Sequence, residues 1–231
     1  MRRLTHYPLC PHSRSIRLAL AELKLDFELA YEEPWAWRPA FLELNPSGAL
    51  PVLELDESVV LCGAYPITEY LAEAYPNHPV DGGAPPILPG NAESKAEIRR
   101  LIDWFHLKFD SEVTRELLHE KHYSRLMKDT VRAPNSETLR TVARNQRYHL
   151  EYICFLVDHR SWLAGSHLSF ADLAAGAHIS VLDYHGEIDW HDYPAASDWY
   201  LRLKSRQSFI SILEDELPNH PPSQHYKDPD H

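Results

Sequence analysis

The sequence predicts an α/β plus all-α fold, in which a small sheet domain precedes a helical-bundle domain. Three observations predict it. Strand and helix patterns alternate in the first third of the chain, apolar residues recur at helical spacing in the rest, and a segment rich in Pro and Gly separates the two parts. We place the sheet domain at residues 1–76, the linker at 77–91, the helical domain at 92–216 and an extended tail at 217–231.

The sheet domain is predicted to have the element order βαβ, then α, then ββα. Alternation with period two predicts the strands, and apolar spacing of three and four predicts the helices. The predicted elements are strands at 3–9, 26–31, 51–55 and 58–61 and helices at 12–23, 39–44 and 66–75. Asp56 and Glu57 form the turn of a hairpin. This order predicts a parallel strand pair followed by an antiparallel one.

The helical domain is predicted to contain a long first helix and four shorter ones. The predicted ranges are 93–128, 137–159, 173–182, 195–205 and 207–214. Asn91 is placed to cap the first helix. Ser169 and Asp172 have the spacing of a capping box before the third helix, whose small apolar residues predict deep burial. Asp172 could also be a catalytic acid, but its spacing to Ser169 favours capping.

Composition and charge limit the class of protein. The chain has 231 residues, of which 44% are hydrophobic and 25% charged, as in ordinary globular proteins. Its net charge of −11 argues against nucleic acid or an anionic membrane as the main partner. No stretch has the roughly 18 apolar residues of a spanning helix, so we expect no direct membrane insertion. The N-terminus lacks the apolar core of a signal peptide, which predicts a cytoplasmic protein.

Cys10 is the first candidate for chemistry, because it lies where the first strand gives way to the first helix. A thiol at that position faces free amide donors and the positive end of the helix dipole, which favours the thiolate. A half-buried cysteine in a tight turn is an equally weighted interpretation. The three cysteines of the chain are too few for a disulfide framework and match no zinc pattern.

Pro51 is the second candidate, because it stands at the head of a predicted edge strand. A cis bond before it would turn the Leu50 backbone outward, where it could pair with an extended peptide. The sequence leaves the isomer open.

The ordered motifs resemble the glutathione-transferase superfamily. They are the strand–Cys-Pro–helix opening, the segment at residues 45–53, the Pro-rich linker and the segment at residues 168–172. The resemblance covers nearly the whole chain. It implies a thioredoxin-like N-terminal domain, an all-helical C-terminal domain and a cytosolic homodimer.

The same resemblance implies a glutathione site from which two side chains are missing. In active relatives, a Glu/Gln-Ser pair opens the helix after the hairpin and holds the γ-glutamyl end of glutathione. Gly63 and Ala64 occupy those positions here. The vestigial glutathione-site positions are Cys10, Leu50, Pro51, Gly63 and Ala64. We therefore expect no cofactor, unless the protein is an enzyme that uses glutathione.

The helical half adds a narrower resemblance, to an alphaproteobacterial branch of the superfamily whose characterised member binds FtsZ polymers. Residues 104–114, 117–121, 147–152, 182–184, 198–206 and 221–230, together with 33–39, carry this resemblance. It implies a non-catalytic cell-division adaptor with FtsZ as its partner. The chain departs from the branch at its end, where Lys227 and Pro229 interrupt a tail expected to be more apolar and acidic.

The partner-binding candidates are Trp35, Trp37, Arg115, Tyr226 and Asp228. Trp35 and Trp37 lie in a Pro-bounded loop, and exposed aromatic residues often anchor interfaces. Core lids are an equally weighted role for the two tryptophans. The basic residues Lys108, Arg115, Lys121, Arg125 and Lys128 share the long helix with Glu112, Glu116 and Glu120, and a solvated, self-paired face is favoured for them.

Fifteen histidines raise the question of a metal site. His119 and His122 lie three apart on a helix, but no other ligands complete a set, so we predict none. The favoured function is the FtsZ-binding adaptor. A glutathione transferase or glutathione-dependent thiol reductase using Cys10 is the enzymatic alternative. A small-molecule-binding module with an apolar cleft at Cys62, Gly63 and Ala64 is the third hypothesis.

Overall fold

A computed structural model of the chain describes residues 1–55, 58–78, 86–127, 133–218 and 220–228. The predicted hairpin turn at Asp56 and Glu57 lies outside the described residues. So do residues 79–85 of the predicted linker, Lys128 and Pro229.

The N-terminal part is a mixed four-stranded sheet covered by helices, with strand order β2-β1-β3-β4. Its elements are β1 (Arg2–His6), α1 (Pro11–Glu22), β2 (Phe27–Tyr31), a 3₁₀ turn (Pro34–Ala36), α2 (Pro39–Leu44), β3 (Val52–Glu54), β4 (Val60–Cys62) and α3 (Ala64–Ala74). β1 pairs with β2 in parallel and with β3 in antiparallel orientation, and β3 pairs with β4 in antiparallel orientation. The predicted parallel and antiparallel pairs are therefore confirmed.

The remaining elements are helical. They are α4 (Ala92–Asp103), a π-helix (Trp104–Thr114), α5 (Arg115–Leu118), a second π-helix (His119–Tyr123), α6 (Ser124–Leu126), α7 (Ser136–Val157), α8 (Phe170–Tyr184), a 3₁₀ turn (Trp190–Asp192), α9 (Pro194–Lys204) and α10 (Gln207–Leu213). The residues that join the elements from α4 to α6 keep helical backbone angles, so these elements form one continuous rod. The predicted fold class, a sheet domain followed by a helical domain, is confirmed.

The Asn91 cap forms as predicted, since its side chain accepts the Ser94 amide at 3.0 Å. The predicted capping box at the start of α8 is also present. Every residue of α8 is buried, as its composition predicted. Gly176 permits this packing, because a Cβ at that position would lie 2.9 Å from Leu203 Cδ1.

Ion pairs join the sheet domain to the helical domain. Arg17 on α1 is buried, and its Nη1 lies 2.7 Å from Asp215 Oδ2. Glu22, also on α1, accepts both a guanidinium hydrogen bond of Arg206, at 2.6 Å, and the Ser208 hydroxyl, at 2.6 Å. Among the described residues, no helix is long and apolar enough to cross a bilayer.

Candidate functional site

The residues that the family resemblance assigned to a glutathione site meet at one end of the strands of the sheet. Thr5, Val52 and Cys62 are register partners on adjacent strands. The segments that follow β1 and β4 and the segment that precedes β3 therefore meet at this end. Those segments carry Cys10, Leu50, Pro51, Gly63 and Ala64. The Gly63 amide donates to the Pro51 carbonyl at 2.9 Å, and the Leu50–Pro51 bond is cis.

Cys10 caps helix α1. Its Sγ accepts the Ser13 amide at 3.5 Å, and the residue is half-buried. Burial would lower the pKa of the neighbouring His12, but Cys10 and Asp110 outweigh it and raise that pKa to about 9. Chemically, the arrangement is a thiol at a helix start beside an imidazole whose pKa is raised.

Tyr7 precedes Cys10 on the same loop and is enclosed by other side chains. Its hydroxyl shares a hydrogen bond of 2.5 Å with His122 Nε2. The rings of Trp35 and Tyr123 pack against it, with centroids at 4.9 and 6.0 Å. Burial raises the pKa of Tyr7. The phenol is therefore a neutral, packed group on the domain boundary, with Trp35 lying over it.

The start of helix α3 is bare of polar side chains. Gly63 is its N-cap, with no side-chain hydrogen bond, and adopts φ +91°. Ala64 follows, and Pro66 lacks an N–H, so Ala64 and Tyr65 supply the free amides of the first turn. A Cβ at Gly63 would find space, with Pro66 Cδ at 3.6 Å, but the positive φ strains any side chain there. At this helix start, only backbone amides are available to bind an anion.

Trp35 and Trp37 lie on the same loop in different environments. Trp35 is partly buried and packs on Tyr123, at 5.1 Å, as well as on Tyr7. Trp37 is 59% exposed and sits at φ 48° in the left-handed region. Buried Glu32 accepts a hydrogen bond of 3.0 Å from Arg38 Nε and fixes the ends of the loop. Trp35 is therefore packed against its neighbours, as a core lid would be, whereas Trp37 is exposed, and its role as an interface residue stays a prediction.

Trp37 rests on the backbone of Gly48. A Cβ at Gly48 would lie 2.8 Å from Trp37 Cζ3, so only glycine permits this approach. Since non-glycine residues rarely adopt φ above zero, the exposed indole is held in place by its surroundings rather than by its own backbone preference.

The long helix carries a largely self-paired basic face. Lys108 pairs with Glu112 four residues later, and Lys121 pairs with Glu187 of a neighbouring loop. The Arg115 side chain is 62% exposed, with Glu116 at 4.0 Å. Arg115 is therefore accessible to a partner.

The tail turns back onto the helical domain, which differs from the extended tail expected from its prolines. Tyr226 is fully buried and donates to the Ile212 carbonyl at 3.0 Å. The Ser223 hydroxyl donates to the Asp183 carbonyl at 2.7 Å. These anchors place Tyr226 out of reach of a partner in this conformation, whereas Asp228 is exposed.

The histidine pair considered from the sequence does not form a metal site. His119 is exposed and His122 is buried against Tyr7. The wide turn of the π-helix separates the directions of residues three apart. Among the described residues, the cluster with metal-ligand spacing is His12, His106 and His178. Sequence spacing gave no signal for it, because its members lie on three separate elements.

Comparison with known proteins gives matches along the whole chain. A family model described as glutathione S-transferase, N-terminal domain, matches residues 4–79. FtsZ-localized protein A from Caulobacter vibrioides is 43% identical over 232 residues, which are 99% of this chain and 98% of that protein. This similarity extends through the helical half as well as the sheet domain.

Solved structures give the same result. The structure of FzlA from C. crescentus matches with a TM-score of 0.91 and 43% identity, covering 100% of this chain and 99% of that one. A glutathione S-transferase from Rhodospirillum rubrum matches with a TM-score of 0.93 and 42% identity, covering 100% of both chains. The fold is thus a thioredoxin-like domain followed by a helical domain.

Proposed function

This chain belongs to the glutathione S-transferase superfamily, in the family of FtsZ-localized protein A, and we propose that it is a cell-division adaptor that binds FtsZ polymers without transferase activity. The observation that carries the proposal is the 43% identity over 99% of the chain to a protein named for its association with FtsZ. In this proposal the protein works as a cytoplasmic homodimer at the division site, with FtsZ as its partner and no cofactor.

The start of α3 supports the non-catalytic part of the proposal. Gly63 and Ala64 stand where glutathione-binding relatives are expected to carry an acidic or amide side chain and a hydroxyl. Hydrogen bonds to charged groups contribute about 1.5–3 kcal/mol each. Losing two of them, about 3 kcal/mol or more, weakens glutathione binding by at least about a hundredfold, since each 1.4 kcal/mol is a factor of ten in affinity.

The loop around Trp37 supports the partner-binding part. Its indole is exposed and held against Gly48, so it can enter a partner's pocket with little loss of conformational freedom. Trp and Arg are the residue types that most often dominate binding energy at protein interfaces. Trp37 and Arg115 are therefore the contacts we propose for FtsZ, with Asp228 as a further exposed candidate. Trp35 and Tyr226 act indirectly, as packed supports of their segments.

Co-sedimentation with FtsZ polymers tests the proposal. The full-length protein should pellet with FtsZ at micromolar concentration, above an albumin control. Trp37→Ala should weaken pelleting about tenfold or more. Phe155→Ala is the matched control, because Phe155 is 61% exposed and lies on α7, away from the loop. Equal pelleting by the two variants would remove Trp37 from the interface, and no pelleting of the wild type above albumin would refute FtsZ binding.

A glutathione transferase or glutathione-dependent thiol reductase is the second candidate, favoured by the position of Cys10. Its thiolate would attack one sulfur of a mixed disulfide, the S–S bond would break and the other sulfur would leave as a thiolate; a glutathione thiolate would then release Cys10 from the new disulfide. In this function, Cys10→Ala abolishes turnover and the wild type is retained on immobilised glutathione. Turnover that is unchanged in Cys10→Ala would rule out the Cys10 mechanism.

A further inference from the structure

Three histidines converge at the junction between the sheet domain and the helical domain. His12 lies in the first turn of α1, His106 in the first π-helix and His178 in α8. Each ring offers one nitrogen to the cluster, and these three nitrogens lie within 4.8 Å of one another. His106 Nδ1 and His178 Nε2 are 3.1 Å apart. His106 and His178 are buried, while His12 is partly accessible.

Hydroxyl groups fix the orientation of the two buried rings. Ser15 Oγ lies 3.2 Å from His106 Nε2, and Thr114 Oγ1 lies 2.9 Å from His178 Nδ1. Each hydroxyl engages the outer nitrogen of its ring and leaves the inner nitrogen facing the other histidine. In metal sites, histidine ligands are oriented by this kind of hydrogen bond from the second nitrogen.

We propose that His12, His106 and His178 bind a divalent transition-metal ion, with zinc the expected ion. Imidazole nitrogens suit Zn²⁺, Cu²⁺ and Ni²⁺, whereas Mg²⁺ and Ca²⁺ prefer oxygen ligands. In a tetrahedral zinc site with bonds of about 2.0–2.1 Å, ligand nitrogens are roughly 3.4 Å apart. The buried pair is already near that spacing, at 3.1 Å, and the His12 nitrogen lies within 4.8 Å of both.

His12 gives an ion access to the cluster. It is the partly exposed member, whereas His106 and His178 are buried, so an ion would enter from its side. Three protein ligands leave one position of a tetrahedron open to water. The π-helix that carries His106 is a type of distortion that is frequent at functional sites.

A titration with Co²⁺ tests the site in the full-length protein, prepared without a histidine tag and treated with a chelator. We expect one equivalent to bind with the intense visible absorption of a tetrahedral complex, and Zn²⁺ to abolish that absorption. His12→Gln should lower the affinity at least tenfold. His119→Gln is the matched control, since His119 is exposed and outside the cluster.

His12 is partly exposed, so its substitution should leave the fold intact, which circular dichroism checks. Loss of metal binding can therefore be distinguished from loss of folding. Loss of the absorption in His12→Gln but not in His119→Gln supports the site. Equal binding by the two variants, or no stoichiometric absorption in the wild type, overturns it and leaves the three rings as a packed cluster. The result is independent of FtsZ pelleting, so the two proposals fail separately.

Discussion

The starts of helices α8 and α3 differ in whether polar side chains bind their first amides. At α8, Asp172 is buried and accepts the amides of Leu163, at 2.9 Å, and Ser169, at 3.0 Å, and the Trp199 indole at 3.0 Å. At α3, Gly63 and Ala64 provide no polar side chain. In both helices the first amides lack partners within the helix. A side chain of the helix itself caps the start of α8, whereas no side chain caps the start of α3.

A capped helix start stabilises the fold, whereas an uncapped one is open to a ligand. A helix start closed by a buried carboxylate contributes to folding and is unavailable to a ligand. A bare helix start leaves its amides free, but amides alone hold an anion more weakly than amides combined with charged and hydroxyl side chains. The start of α3 therefore offers an anion only backbone amides, while the start of α8 is closed by its own carboxylate.

Removing the carboxylate at α8 should have the largest effect. Asp172→Ala leaves the Leu163 and Ser169 amides and the Trp199 indole without their acceptor in the core. Unsatisfied buried donors cost about 1–3 kcal/mol each, so we expect the free energy of unfolding to fall by about 4 kcal/mol. Urea denaturation followed by circular dichroism measures it.

Asn135→Ala is the matched control for Asp172→Ala. Asn135 caps α7 by accepting the Glu137 amide at 2.9 Å, and it is exposed to solvent. Its removal should cost about 1 kcal/mol. A loss for Asp172→Ala no greater than this would contradict the structural role of the α8 start. If Asp172→Ala fails to fold, Asp172→Asn, which keeps one acceptor oxygen, gives the comparison.

Replacing Trp35 and replacing Trp37, which both lie on the loop between β2 and α2, should change the free energy of unfolding by different amounts. Trp35→Ala removes a ring packed on Tyr7 and Tyr123 and should cost about 2–3 kcal/mol, less than a fully buried tryptophan. Trp37→Ala should change stability by less than about 0.5 kcal/mol, as exposed positions do. Thermal and urea unfolding of both variants measure the difference, and equal losses would contradict the assignment of a packed and an exposed tryptophan.

Acid should destabilise the protein through His185, at the C-terminal end of α8. Burial lowers the pKa of His185 to about 4, from about 6.5 in the unfolded chain. Because the folded pKa is the lower one, the stabilisation is complete above pH 6.5 and is lost as the pH falls towards 4. At pH 5 the loss is about 2 kcal/mol, from 1.5 pH units at about 1.4 kcal/mol each.

Urea unfolding of the wild type and His185→Gln at pH 7 and pH 5 measures this contribution. The variant should lose about 2 kcal/mol less than the wild type on acidification. His191→Gln is the control, because the His191 side chain is 94% exposed. Identical pH dependence of wild type and His185→Gln would show that His185 is not held neutral by the fold.

Restoring part of the missing clamp should have the smallest effect. Ala64→Ser adds a hydroxyl at the first residue of α3 without backbone strain and should raise glutathione affinity by up to about tenfold, for one hydrogen bond to a carboxylate. Gly63→Glu should cost stability, because Gly63 has φ +91°. Calorimetry of Ala64→Ser against the wild type measures the gain, and a decrease in affinity would contradict the vacant-clamp explanation.

Local signals predicted most of the fold. The residue types of the Ser169 and Asp172 box, the alternation in 26–31 and the small residues of α8 each determine structure over a few positions. Helix α3 begins at Ala64 rather than at the predicted residue 66, because a first helical turn tolerates Pro66. The sequence, together with the family resemblance, also showed that Gly63 and Ala64 stand in place of the Glu/Gln-Ser pair.

Contacts between distant segments were beyond prediction. The bond between Tyr7 and His122 spans 115 residues, and the cluster of His12, His106 and His178 depends on how three helices pack. The π-helices were not predicted either, since apolar spacing of three and four is nearly the same in a slightly wider helix. Tyr226 lies in a Pro-rich tail whose composition gave no sign of its burial.

A calorimetric titration of the full-length protein with glutathione measures whether the start of α3 can hold this ligand. We predict no saturable binding below millimolar glutathione, in a preparation that pellets with FtsZ polymers. Stoichiometric binding with a micromolar dissociation constant would contradict this prediction and make the enzymatic function the better explanation of the fold.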